Sequence, residues 1–113
     1  MEATARARFV KISPRKARVV ADLVRGKDVG EALDILAFTR RAAARPIKKL
    51  VESAVANAKQ ASSAVDVDAL FVKSITVDMG PMRHMRRWRP RAMGRATRIV
   101  KGMSHVKVVL DIR

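Results

Sequence analysis

The chain has 113 residues, with 25 Lys and Arg against 10 Asp and Glu, a formal net charge of +15 at pH 7. That length fits one small domain, and no apolar run approaches the ~18–20 residues that span a bilayer. The absence of cysteine excludes disulfide scaffolds, thiolate zinc sites and cysteine nucleophiles, and so strong a self-repulsion calls for a polyanionic partner.

The N-terminus carries Glu2, Arg6 and Arg8 with no apolar core, so no signal peptide is expected. Charge is unevenly distributed. Residues 1–27 hold eight basic and two acidic residues, residues 28–78 hold seven of each, and residues 79–110 hold nine basic and none acidic. An ordinary folded middle flanked by cationic segments fits this pattern. Between Met82 and Arg98 every basic residue is Arg, whose planar fork binds phosphate bidentately and stacks on bases.

In chain order, Ala5, Ala7 and Phe9 alternate with Arg6, Arg8 and Val10, the period of a half-exposed strand with the first set inward. Ser13 and Pro14 then give an N-cap and a first helical residue. Val19, Val20, Leu23 and Val24 form the predicted buried stripe, and Gly26 ends the helix. Arg15, Lys16 and Arg18 lie in its first two turns, where cations oppose the helix dipole, a local cost that hints at function. Asp28 and Glu31 resemble a capping box for a second helix with Val29, Ala32, Leu33, Ile35 and Leu36 as its apolar set and Phe38 near its end.

A third helix is predicted over about Ala42–Ala61, its buried stripe running through Ile47, Leu50, Val51, Ala54, Val55 and Ala58. Pro46 is tolerable there only within the first turn, where backbone donors have no partner. Ser62–Asp68 reads as a loop, Leu70–Asp78 as a strand, and Val106–Ile112 as a closing strand. The expected fold is a single α+β domain over 1–113, with three helices packed on one face of a three-stranded antiparallel sheet.

Between the last two strands lie Arg83, Arg86, Arg87, Arg89, Arg91, Arg95 and Arg98. Burying seven unpaired guanidinium groups would cost several kcal/mol each, against a domain stability of about 5–15 kcal/mol. The segment is therefore expected to leave the body as a long protruding β-hairpin at about 79–101, with Pro90 and Gly94 near its turn. Such a ribbon is marginal alone and would order on an anionic partner. Trp88 has two readings: a staple across the ribbon, or a platform stacking on an unpaired base. Met82, Met85 and Met93 suit adaptable apolar contact.

Catalysis finds no support. His84 sits among cations and suits an RNA contact, His105 is expected to be structural, and Asp66 and Asp68 belong to a loop. No HExxH, GxSxG, phosphate-loop or CxxC pattern occurs. No enzyme activity, cofactor or metal site is expected.

The segments SPRKAR (Ser13–Arg18), ADLVRGK (Ala21–Lys27), ALDIL (Ala32–Leu36), ESAVANA (Glu52–Ala58), VDMGP (Val77–Pro81), RPRAMGRATRI (Arg89–Ile99) and SHVKVVL (Ser104–Leu110) occur in that order. Together they strongly resemble the family of bacterial large-subunit ribosomal protein number twenty-two. The resemblance implies a cytoplasmic constituent of the large (50S) ribosomal subunit that binds 23S ribosomal RNA and supports subunit assembly. It also implies that the extended hairpin lines the nascent-polypeptide exit tunnel. The implied partners are 23S ribosomal RNA, neighbouring large-subunit proteins and the nascent polypeptide, with no membrane and no small-molecule substrate.

The RNA-binding candidates are Arg6, Arg8, Lys11, Ser13, Arg15, Lys16 and Arg18 in the N-terminal segment. In the hairpin they are Arg83, His84, Arg86, Arg87, Trp88, Arg89, Arg91, Arg95, Arg98 and Lys101. Its tip, facing the tunnel, would be Arg89, Pro90, Arg91, Ala92, Met93, Gly94 and Arg95. The alternative is an architectural DNA-binding protein that inserts a basic β-ribbon into a groove. An anionic-lipid binder is a weaker rival, because the arginines lie on a ribbon without a long apolar face.

Overall fold

A computed structural model of the chain describes residues 2–62, 64, 66–80, 86–90, 96–100 and 103–112, with the backbone alone described for 86–90 and 96–100. The order is β1 (Glu2–Val10), α1 (Pro14–Val24), α2 (Val29–Phe38), α3 (Ala44–Ala61), a short 3-10 turn (Val67–Ala69), β2 (Leu70–Met79), β3 (Arg86–Pro90), β4 (Ala96–Val100) and β5 (Ser104–Ile112). The closing strand β5 lies at the centre of an antiparallel sheet of order β1-β5-β2. Its alternation explains that place: Val106, Val108 and Leu110 point inward and are buried between two neighbours.

The three helices cover one face of this sheet, in agreement with the expected α+β class. Ala3 and Ala5 of β1 and Ala54 and Ala58 of α3 are buried, and these small side chains let helix and strand approach closely. Asn57 Nδ2 donates to Thr4 O at 2.9 Å across the same contact. Pro46 falls in the first turn of α3, where its missing N–H removes no helical bond. Gly26 ends α1 at φ +79°, and its N–H donates to Val72 O at 3.0 Å, so the turn that stops the helix also anchors it to β2.

Two predicted faces shift. The buried stripe of α1 is Ala17, Val20, Ala21 and Val24, while Val19 and Leu23 are exposed. Small Ala17 and Ala21 seat the helix against the sheet, and that turns the bulkier pair to its flank. Phe38 ends α2 in solvent, 85% exposed. In β1 the inward alternation holds through Ala3, Ala5 and the half-buried Ala7, then fails. A register irregularity between Ala7 and Val10 leaves Phe9 exposed, at φ +58°. β2 also changes phase: a register shift between Val72 and Ser74 lets Leu70 and Val72 before it, and Ile75 and Val77 after it, all face the core.

β3 and β4 form a separate antiparallel ladder with Arg86 opposite Val100, Trp88 opposite Arg98 and Pro90 opposite Ala96. The expected turn residue Gly94 lies outside the described residues. The molecule measures 66 × 25 × 15 Å, and its radius of gyration of 17.2 Å exceeds the ~13 Å of a compact chain this long. Gly80 forms the hairpin's root. Its N–H donates to Met103 O at 2.8 Å, and a Cβ there would lie 3.1 Å from Met103 Cβ.

Candidate nucleic-acid interface

Two basic segments far apart in sequence meet at one end of the sheet. Ser104, which opens β5, is the register partner of both Val10 and Met79. The last residues of β1, the start of α1 and the root of the hairpin therefore share one edge of the body. Buried Ser104 fixes the junction further, its hydroxyl donating to Ile12 O at 2.6 Å. Ser13 caps α1 as its sequence position dictates: its Oγ accepts from Lys16 N at 3.3 Å, and Pro14 follows at the first helical position. No acidic residue occupies the first turn of α1, so Arg15 and Lys16 are exposed on a helix start that prefers anions.

Arg18 has a second duty. Its Nε and Nη2 both donate to Val77 O, at 3.2 and 3.0 Å, clamping α1 to the end of β2. Arg25 does the same one turn pair later: Nη2 donates to Ile75 O at 2.8 Å while the guanidinium pairs with Asp22. Arg25 lies within the ADLVRGK segment, but its clamping role is visible only once α1 meets β2.

The helix-free face of the sheet divides by charge. Arg6 on β1 stands directly opposite Lys107 on β5, whose other neighbour is Thr76 on β2. Like charges in that relation destabilise a sheet by roughly 0.2–1 kcal/mol, so the arrangement is costly for the free protein. Arg6, Arg8, Phe9, Asp78, His105 and Lys107 line a shallow groove at this cationic end. At the opposite end Lys73 pairs with Glu2 and lies 3.6 Å from Asp111. The hydrogen bond to Glu2 raises the Lys73 pKa above its ordinary value, with the Glu2 charge acting in the same direction. The Ile112 N–H donated to Asp111 lowers that carboxyl's pKa, with the Lys73 charge a lesser contributor. Glu2 and Asp111 are thus gathered where the lysine answers them, and Asp78 is the one carboxylate lining the groove at the other end.

Of the predicted site residues, Arg6 and Arg8 wall the groove, Lys11 is exposed on the β1–α1 connection, and Arg15 and Lys16 are exposed in the first turn of α1. The Ser13 hydroxyl is used as a cap. Arg86, Arg87, Trp88, Arg89, Pro90 and Arg98 lie in the paired hairpin strands, their side chains outside the described residues. Arg83, His84, Arg91, Ala92, Met93, Gly94, Arg95 and Lys101 also lie outside them. His105 is structural as expected: its Nδ1 accepts from Phe9 N at 3.1 Å. Phe9 and Lys107 are additions to the site. Lys107 was visible as part of the acid-free segment, whereas the period of β1 concealed Phe9. Among the described residues no group of three His, Asp or Glu is placed to hold a metal ion, and no helix is long and apolar enough to cross a membrane.

Residues 5–111 match the family model described as ribosomal protein L22p/L17e. The chain belongs to that family. It is 56% identical over 113 residues to the large ribosomal subunit protein uL22 of Sorangium cellulosum, covering 100% of this chain and 99% of that one. It is 60% identical over 111 residues to the protein of the same name from Myxococcus xanthus, covering 97% and 96%. For that of Syntrophobacter fumaroxidans the identity is 57% over 110 residues, covering 97% of each chain. The L22 match embraces both basic segments, the Ser13 cap and the Gly80 root, so all the features that build the cationic end lie within the family's span.

Proposed function

We propose that this L22-family chain is a structural, non-catalytic constituent of the large ribosomal subunit that binds 23S ribosomal RNA through the cationic end of its body and its hairpin. The observation that carries this reading is the convergence of the two basic segments on one sheet end, with Arg6 facing Lys107 beside the root of an acid-free hairpin. A protein selected for its own stability would not place those charges together. RNA phosphates neutralise them and release counterions, which makes affinity fall with salt at a log–log slope of about 0.7–0.9 per contact.

Arg6, Arg8, Lys11, Arg15 and Lys16 hold RNA against the body in this reading. The hairpin arginines from Arg83 to Arg98, with Lys101, His84 and Trp88, brace RNA segments farther away. The tip from Arg89 to Arg95 reaches the wall of the nascent-polypeptide exit tunnel, and tying distant RNA segments together supports subunit assembly beside neighbouring ribosomal proteins. The test is binding of the full chain to 23S transcript with duplex DNA as competitor. Preference for the transcript and a steep salt slope are expected; equal affinity for any duplex supports the architectural DNA-binding alternative instead. For the tip, a photocrosslinker at Met93 in assembled subunits should capture a stalled nascent chain, and capture of RNA alone would place the tip away from the lumen.

A further inference from the structure

Phe9 is held in an unusual state by specific contacts. It is the one non-glycine residue at positive φ among those described, and it sits where the β1 register breaks. Left-handed backbone is costly for an aromatic residue and persists only where surroundings enforce it. Here the Phe9 N–H donates to His105 Nδ1, and the two rings meet edge to face, centroids 5.0 Å apart at 90°. The break turns Phe9 out of the core phase of β1 and leaves it 55% exposed at the groove walled by Arg6, Arg8 and Lys107. Irregularities of this kind re-aim side chains next to functional sites.

An exposed aromatic ring rimmed by three cations is matched by a ligand that has a flat π-face and anionic flanks. An unpaired nucleotide has both. An apolar protein segment would answer the ring and leave the cations facing one another, and a phosphate alone would answer the cations and leave the ring wet. Asp78 on the groove wall adds an acceptor for an exocyclic amine or a ribose 2′-hydroxyl. We propose that Phe9 is a stacking platform for a single unpaired nucleobase of the RNA, with the flanking phosphates held by Arg6, Arg8 and Lys107. This rests on the RNA-binding reading above and adds to it a specific base-recognition site on the body.

The test measures binding of the full-length protein to 23S transcript at several salt concentrations, for wild type, Phe9→Gly, Phe9→Ala and Phe9→Trp. Glycine relieves the positive φ, so Phe9→Gly keeps or improves thermal stability while removing the ring. Loss of one stacked base is expected to weaken binding by about 5- to 150-fold. The salt slope should not change, because no charge is lost, and Phe9→Trp should bind at least as tightly as wild type. Wild-type affinity for Phe9→Gly would overturn the proposal. So would a loss accompanied by a shallower salt slope, a failure of Trp to substitute, or full RNA binding with a defect only in subunit incorporation, the mark of a protein partner. Absence of RNA binding by the wild type itself would instead refute the parent reading.

Discussion

Alanine at position 80 would place its Cβ 3.1 Å from Met103 Cβ and 3.2 Å from both the carbonyl carbon and oxygen of that residue. Ordinary carbon contacts are about 3.5–4.0 Å, so one strand must retreat by roughly half an ångström. It cannot do so freely, because Gly80 N–H is bonded to Met103 O at 2.8 Å and Met103 is itself buried. Overpacking of this kind costs about 1–3 kcal/mol. With about 4–8 °C of Tm per kcal/mol in a small domain, Gly80→Ala should melt several degrees or more below wild type. Thermal and urea unfolding of the free protein measure this directly. Local hydrogen exchange should also show faster exchange at residue 80, since the clash and the hydrogen bond share the same two residues. A Gly80→Ala variant within about 0.5 kcal/mol of wild type would refute the reasoning that close strand approach at the hairpin root demands glycine.

Gly26→Ala meets no atom within 4 Å but must adopt φ +79°, so it should lose about 1–2 kcal/mol from backbone strain alone, measured by denaturant unfolding. Gly30→Ala, inside α2 with open space and ordinary φ, should instead gain about 0.4–1 kcal/mol in the same assay. Arg6→Gln should raise stability by a few tenths of a kcal/mol through relief of its repulsion with Lys107, while the RNA salt slope falls by about 0.7–0.9, the signature of one lost phosphate contact. The Lys73 pKa lies above 10.5, so its contribution to folding is full below that pH and disappears as pH rises through the raised value. The Asp111 pKa lies below 3.8, so its contribution is full above that pH and disappears as pH falls through the lowered value. Lys73→Met should therefore fall below wild-type stability in the neutral range and approach it as pH rises through the raised Lys73 value, measured by denaturant unfolding over a pH series.

Local chemistry was legible in the sequence. The Ser13–Pro14 start and Gly26 end of α1, the first-turn place of Pro46, the order of helices and strands, and the departure of an acid-free arginine segment from the body each follow from a few adjacent residues, because caps, prolines, glycines and uncompensated charge act at short range. The break in β2 was also written there, in a phase change of apolar residues around Lys73, although only pairing with β5 gives it meaning. Tertiary structure decided what depends on the distant partner. Helix propensity and spacing put Val19 and Leu23 beside Val20 and Val24, but the closeness allowed by Ala17 and Ala21 selects which of them meets the sheet. Alternation sent Phe9 inward, and an imidazole 96 residues later turned it out. Likewise, Arg6 and Lys107 are merely two cations in a chain with 25 until β1 and β5 pair and set them opposite one another. A sequence states the charge and shape of each residue, whereas an interface depends on separations between residues, and long-range pairing alone sets those.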